Sequence, residues 1–479
     1  MDMNKELLKE QAFINGEWIS TDNTFNVDNP FDNGVIASVA DCTENHAEQA
    51  IDAAATAFES WKTTTAKERS ELLLSWYKLT IDHADELAEL LTIEQGKPLE
   101  EAKGEILYGA SYIKWFSEEA LRINGDLIPS PDGNKDIQVH KLPVGVVGII
   151  TPWNFPQAMI ARKVAPALAA GCTVVIKPAS ETPLSALAMA DLAQKAGIPD
   201  GVINILPTTS SSDIGKVLTS SPLVRKISFT GSTAVGKTLI AQSADNVQKV
   251  TMELGGNAPF IVFDDANLED AVDGLMASKF RNSGQTCVCA NRVFVHEDLY
   301  EEFVKELGNK VSALTLGNGL TKGVEITPLI NQKGIDKALG LIKSAAEEGA
   351  EVLVGGGVSK EFENIVQPTI LSKVTTDMDI AKEEIFGPVI TLISFSDDDE
   401  VISAANSVPV GLAAYAYTED RHRIKRLIKD IETGMIGINT GMLSNEMAPF
   451  GGVKESGMGR EGSKYGISDY LDIKYACIV

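Results

Sequence analysis

The chain has 479 residues, too many for one hydrophobic core; at roughly 100–200 residues per domain it implies about two to four domains. Its 42 basic against 67 acidic residues leave a net charge of −25, which argues against a nucleic acid or an anionic membrane surface as partner, because both recruit basic proteins. A small anionic ligand needs only a few local cations and is not excluded. Five cysteines (Cys42, Cys172, Cys287, Cys289 and Cys477) are too few, and odd in number, for a disulfide framework, so a reducing, cytoplasmic setting is expected.

The amino-terminal stretch MDMNKELLKEQ carries no apolar signal core. The most apolar runs, residues 144–150 and 165–176, fall short of the roughly 20 residues that span a bilayer. Residues 13–18 read as a hairpin, because Asn15-Gly16 suits a tight turn with positive φ. Residues 43–122 read as mostly helical, with a capping box at Thr65 and Glu68 and a break at Gly96 and Pro98. The polar stretch 124–135 leads into an alternating segment near 137–142, together a projecting hairpin.

From there the chain alternates. Strands are expected at 144–150, 173–176, 202–206, 226–230 and 249–253, with helices between them, such as 157–170 and 184–196. After Gly255 the pattern resumes with a strand at 259–263, a helix at 268–280, a strand at 292–296 and further alternation to about Asn439. Buried strands alternating with helices predict parallel sheets covered on both faces, in two α/β domains.

Several positions invite chemistry. Cys287 follows a polar Gly284-Gln-Thr turn; a lone cysteine is more often a buried apolar side chain, and a free thiol with a pKa of about 8.5 needs help to ionise. The five histidines sit in no obvious catalytic context, although a Cys–His pair could still meet in space. Glu253 ends an apolar strand just before Gly255 and Gly256, where a ligand could approach the backbone closely. Gly231, Ser232 and Gly236 follow a strand and open a helix, whose free N–H groups can hold a pyrophosphate. Thr151-Pro152-Trp153-Asn154 is a stiff loop carrying an amide donor, as an oxyanion site needs. Lys177 follows the next strand and could reach a ribose or phosphate, or only water.

Taken together and in order, PWNFP, KPAS, FTGS, ELGGN, GQTC, EEIFGP and PFGGVKESGMGREG resemble the aldehyde dehydrogenase superfamily, over nearly the whole chain from about Phe13. SKFRNSGQTCVCANR and REGSKYGISDYL resemble its succinate-semialdehyde dehydrogenase branch. The resemblance implies a Rossmann-like cofactor domain (residues 1–123 and 143–253), an α/β catalytic domain (254–443) and a small β oligomerisation arm (124–142 and 466–479). Residues 444–465 would return past the active site. The arm would join homodimers or homotetramers.

It also implies roles: Cys287 as nucleophile, Glu253 as the base that activates the hydrolytic water, and Asn154 with the Cys287 N–H as the oxyanion hole. Lys177 would bind the adenosine ribose, Ser232 the pyrophosphate and Glu384 the nicotinamide ribose. Phe386 would pack beside the nicotinamide, and Thr151, Pro152, Trp153 and Leu254 would line the cofactor site. No metal is called for, and no cluster of ligands has metal-binding spacing.

A semialdehyde carries a carboxylate at its far end. In the succinate-semialdehyde branch, arginines matching Arg162 and Arg281 and a serine matching Ser444 hold it; a guanidinium grips a carboxylate through two bonds. NAD-selective relatives often carry Glu where this chain has Ser180. That removes a repulsion toward a 2′-phosphate, so NADP is expected as preferred cofactor with NAD accepted, the direction of the adjacent Glu181 being open. Pro207-Thr208 replaces a turn that often contains glycine in relatives. Cys289, two residues from Cys287, is linked in this branch to a disulfide switch, which a packed free thiol rivals.

Three other readings stand beside this one. Glutarate semialdehyde differs from succinate semialdehyde by one methylene, typically only about 1–3 kcal/mol. A CoA-acylating dehydrogenase usually lacks the Glu base. A binding protein that kept the fold would turn over no aldehyde.

Overall fold

The computed structural model describes residues 6–479. Residues 1–5, part of the amino-terminal stretch read above as lacking an apolar core, lie outside the described residues.

The Asn15-Gly16 turn has φ of 53° and 78°, and the strands it joins, Ala12–Ile14 and Glu17–Ile19, pair antiparallel. In the helical region Thr65 accepts the Glu68 N–H (3.2 Å) while Glu68 Oε2 accepts the Thr65 N–H (2.6 Å), which satisfies two end donors reciprocally. Gly96 ends its helix in the left-handed conformation, φ 96°. The region divides into Glu44–Trp61, Ala66–Asp82, Ala84–Gln95 and Leu99–Glu119.

The first sheet runs, edge to edge, Glu17–Ile19, Ala12–Ile14, Ile203–Ile205, Thr173–Lys177, Val146–Ile150, Val224–Thr230, Lys249–Glu253, Gly457–Met458. Its five inner strands are parallel. The chain builds outward from Val146–Ile150 to one side, then returns to build outward on the other with Val224–Thr230. That reversal is a switch point, where loops leaving the carboxyl ends of adjacent strands diverge and open a crevice. The strand expected from residue 144 begins at Val146, because Gly145 takes φ 128° and the Val144 N–H is spent on Tyr470 O. The Gly457–Met458 edge strand had no strand pattern in the sequence; it pairs with Met252 and Glu253.

The second sheet has seven strands, in the order Glu351–Val354, Thr369–Ser372, Val389–Phe395, Ala290–His296, Ala258–Val262, Ala413–Tyr417, Met435–Ile438. All neighbours are parallel except the first pair. Only residues 254–257 separate the end of Glu253's strand from the start of Ala258's, so the carboxyl edge of the first sheet faces the amino edge of the second. Strands such as Val146–Ile150 and Ala258–Val262 are buried along their whole length, as parallel strands covered on both faces must be.

A separate antiparallel sheet joins Leu471–Ile478, Asp136–Pro143 and Asp126–Ile128. Leu127, Ile473 and Tyr475 on it are 81%, 75% and 62% exposed. Among the described residues, no helix is long and apolar enough to cross a membrane.

Candidate active site

Cys287 follows three residues in the left-handed region, Asn282 (φ 52°), Ser283 (53°) and Gly284 (78°). Gly284 lies so close to the Gly387–Pro388 backbone that a Cβ there would come within 3.1 Å of Pro388 N. Such a turn is held by its surroundings, since non-glycine residues avoid positive φ. It delivers a half-buried Cys287 to a cavity of about 360 Å³ that Asn154, Trp153, Gln285, Leu254, Glu384 and Phe386 also line. Burial pushes the thiol up to about 12, against the pull of the Arg162 charge.

Asn154 sits after strand Val146–Ile150. Its Nδ2 donates one hydrogen to Gln285 O (3.1 Å), which leaves a second amide hydrogen. Glu253, at the end of the inner strand two places along the sheet, is buried, and neither carboxylate oxygen has a hydrogen-bond partner among the described residues. Burial first, and the Glu461 charge second, raise it to about 8. Its carboxylate does not line the Cys287 cavity; a Cβ on Gly451 would lie 2.9 Å from its Oε1, so it rests in the wall beside the returning carboxy-terminal segment.

A second cavity, about 480 Å³, shares Pro152, Trp153, Thr230 and Gly231 with the first, so one groove follows the switch point. Thr151, Lys177 and Ser180 line it. Lys177 donates to Ser211 Oγ (2.9 Å), and burial lowers its pKa to about 8. Ser180 Oγ donates to Glu181 Oε2 (3.2 Å), so the Glu181 carboxylate does lie beside this end of the groove. Ser232 caps the Thr233–Ser243 helix, accepting from Val235 N, and lines the first cavity with Gly231. Gly236 lines neither cavity; it makes room for the Leu254 side chain, whose Cγ a Cβ would meet at 3.3 Å.

Glu384 Oε1 accepts the Gly256 N–H (3.1 Å), and burial raises this carboxyl to about 7. Phe386 holds φ 58° and meets Trp153 edge-on, ring centres 5.5 Å apart. This donor set fits a dinucleotide: a buried ammonium with N–H groups to spare, a helix start, and a carboxylate whose Oε2 would be only 3.2 Å from any Cβ at Gly255.

A third cavity, about 220 Å³, is lined by Arg281, Ser444, Phe155, Tyr108, Met442 and Glu101 among others. The Arg281 guanidinium lies 4.6 Å from the Phe155 ring centre. Arg162 lines none of these cavities. It is fully buried, its Nε donates to Glu461 Oε2, and its guanidinium stacks 4.0 Å over Phe450, while Nη2 has no protein partner. Cys289 is a buried free thiol that donates to the Ala290 and Lys279 carbonyls. Among the described residues, no group of three or more His, Cys, Asp and Glu side chains could hold a metal ion.

Sequence reasoning passed over Lys97, Asn282 and Glu461, each tied by side-chain hydrogen bonds to a residue it had named or to that residue's loop. Asn282 and Glu461 lie inside the quoted motifs FRNSGQTC and GREG, the one signal that could have pointed to them.

Residues 18–476 match the aldehyde dehydrogenase family. The chain is 54% identical to 3-sulfolactaldehyde dehydrogenase of Pseudomonas putida, over 98% of this chain and 97% of that one. It is 53% identical to an NADP(+) succinate-semialdehyde dehydrogenase of Escherichia coli, over 99% of each. The crystal structure of a succinate-semialdehyde dehydrogenase from Burkholderia pseudomallei superposes with a TM-score of 0.98 at 52% identity, covering 100% of both chains.

Proposed function

Because the chain belongs to the aldehyde dehydrogenase family, we propose that it oxidises a small aldehyde with an anionic far end, succinate semialdehyde best, to the carboxylate, with NADP or NAD as oxidant. The observation that carries this reading is one loop, residues 151–155, that lines three cavities: a dinucleotide groove, the Cys287 chamber and a pocket that Arg281 and Ser444 also line.

The Cys287 thiol passes its proton to solvent water, the thiolate sulfur attacks the carbonyl carbon, and negative charge moves onto the aldehyde oxygen. The free Nδ2 hydrogen of Asn154 and the Cys287 N–H stabilise that charge; losing one such donor typically costs about 10²–10³ in rate. The nicotinamide, when bound, supplies the hydride acceptor that leaves a thioester on Cys287. Glu253 then takes a proton from water, which attacks the thioester and frees the carboxylate; such base catalysis typically contributes about 10²–10⁴. For this, the Glu253 carboxylate swings from the wall toward Cys287, a move favoured by its lack of hydrogen bonds in the buried position.

Arg281 and Ser444 hold the far anion; Arg162, which lines none of the three cavities, keeps Nη2 without a protein partner and is a weaker candidate for a third contact. One relative's name specifies a sulfonated aldehyde and another's a carboxylated one; a guanidinium suits either, which makes the sulfonate the second reading. Glutarate semialdehyde remains the near alternative in size. Lys177, Ser180, Ser232, Glu384 and Phe386 hold the cofactor. The exposed apolar side chains of the 126–143 and 471–478 sheet support a second copy of this chain as its cover, as dimer or tetramer, since an isolated hairpin is marginal in water. Five free cysteines support a reducing compartment, the cytoplasm.

The test is a panel of aldehydes with a carboxylate, a sulfonate or no charge at the far end, assayed with each cofactor. Highest kcat/KM for succinate semialdehyde supports the reading; equal rates on uncharged aldehydes of the same length overturn it.

A further inference from the structure

Lys97 lies in the turn after the Ala84–Gln95 helix, and its side chain is completely buried. Its ammonium donates to Glu105 Oε2 (2.6 Å) and to the main-chain oxygen of Asn154 (2.7 Å), and lies 3.8 Å from the Phe155 ring centre. Burial pulls its pKa down, and the Glu105 charge opposes that pull. An ammonium is costly to bury, so a partner charge and full hydrogen bonding are required to keep it there.

Glu105 supplies the charge and does more. Its Oε1 accepts the N–H groups of Gln157 (3.0 Å) and Ala158 (3.2 Å), in the first turn of the Pro156–Ala170 helix. That turn follows Asn154 directly. The Asn154 oxygen also takes a second donor, Asn282 Nδ2 (3.0 Å). Asn282 Nδ2 reaches Gln285 O as well (3.2 Å), and this is the oxygen that Asn154 Nδ2 binds. The Asn154 main chain is thus gripped on its oxygen by Lys97 and Asn282, while Glu105 fixes the turn behind it.

We propose that Lys97, with Glu105 as its counter-charge, is a positioning residue for the oxyanion hole: it fixes the Asn154 main chain so that the free Nδ2 hydrogen stays aimed at the charge that develops beside Cys287. The inference rests on the reading of Asn154 as oxyanion donor given above. Displacement of a catalytic group by about 1 Å costs on the order of 10²-fold in rate, so the placement of one amide is enough to govern the step.

The experiment measures single-turnover formation of reduced nicotinamide, with saturating aldehyde and cofactor, in K97M, N154A and the K97M/N154A double variant. A group that works only through Asn154 has nothing left to do once that amide is gone. K97M is expected to lose about 10- to 100-fold in rate with little change in KM, and the double variant to stay within about threefold of N154A. Losses that multiply in the double variant would overturn the proposal, because Lys97 would then act independently of Asn154. A K97M enzyme at wild-type rate would overturn it too. Should K97M not fold, K97M/E105Q, which removes both buried charges, carries the same comparison. N154A at wild-type rate removes the oxyanion reading and this inference together; N154A impaired beside normal Lys97 variants removes this inference alone.

Discussion

Arg162 and Glu461, 299 positions apart in sequence, form an ion pair with both side chains almost wholly buried. Lys163 donates to the other carboxylate oxygen, so one anion answers two buried cations. Burial alone would raise Glu461; the Arg162 and Lys163 charges outweigh it and hold its pKa below the usual carboxylate value. Glu253 shares this cluster and is pushed the opposite way, to about 8. Like charges in one buried site drive such values apart. The outcome is one carboxylate held below the usual carboxylate range and one poised near neutrality.

Replacing Glu461 with alanine is therefore expected to destabilise the protein by about 3–5 kcal/mol at pH 7, because two cations are left buried without an anion. Denaturant unfolding measures it. The group's folded pKa is lowered, so its contribution is full above the unfolded value and declines as pH falls through the folded one; the difference between wild type and variant should shrink toward acid.

Glu253 predicts the pH profile of hydrolysis. Only its ionised form accepts a proton from water, so turnover limited by thioester hydrolysis should rise from pH 7 and level off above about 9, around the folded pKa of about 8. In Glu253→Gln the profile should flatten and hydrolysis fall by about 10²–10⁴. Single-turnover and steady-state rates measured across that range separate hydrolysis from hydride transfer.

The far-anion clamp is read from Arg281. Arg281→Ala should raise KM for succinate semialdehyde by roughly 10- to 100-fold, the loss of a charged hydrogen-bonding partner, while sparing short uncharged aldehydes. Steady-state kinetics on both substrate classes checks this, and equal losses would refute the role. An Arg162 variant should differ by also losing stability, since it breaks the Glu461 pair.

Lys177 and Glu181 face the same cavity, and on the proposed reading they set the choice of cofactor. Lys177 loses its charge around pH 8, so the affinity for NADP should fall from pH 7 to 9 more steeply than that for NAD. Glu181→Gln should strengthen NADP binding, because it removes a carboxylate beside Ser180. Fluorescence titration of each cofactor at several pH values reads both effects.

Much of this molecule could be read before its structure, where the cause is local. The Asn15-Gly16 turn and the Thr65–Glu68 capping box depend on neighbouring residues alone, and both formed. The strand–helix alternation predicted parallel sheets, and the motifs named residues that the groove and the Cys287 chamber bring together. Long-range partners left no local trace. Nothing in the sequence around Arg162 announced Glu461, which arrives from the carboxy-terminal segment and occupies Nε. Gly236, expected beside a pyrophosphate, lines neither the groove nor the Cys287 chamber and makes room for the Leu254 side chain. The two-residue strand Gly457–Met458 is too short for any periodicity to betray; it exists because the edge of Lys249–Glu253 offers unpaired groups. Lys97, in a polar turn, gave no hint that it would be buried against Asn154.

The central claim is that Cys287 carries the acyl group. The most direct measurement is intact-protein and peptide mass spectrometry of the Glu253→Gln variant after mixing with succinate semialdehyde and NADP, alongside the yield of reduced nicotinamide. The account predicts one equivalent of reduced cofactor per site, then a stall, with the added succinyl mass on the peptide holding Cys287 and absent in Cys287→Ala. Undiminished turnover by Cys287→Ala, or the acyl mass on another residue, would contradict it.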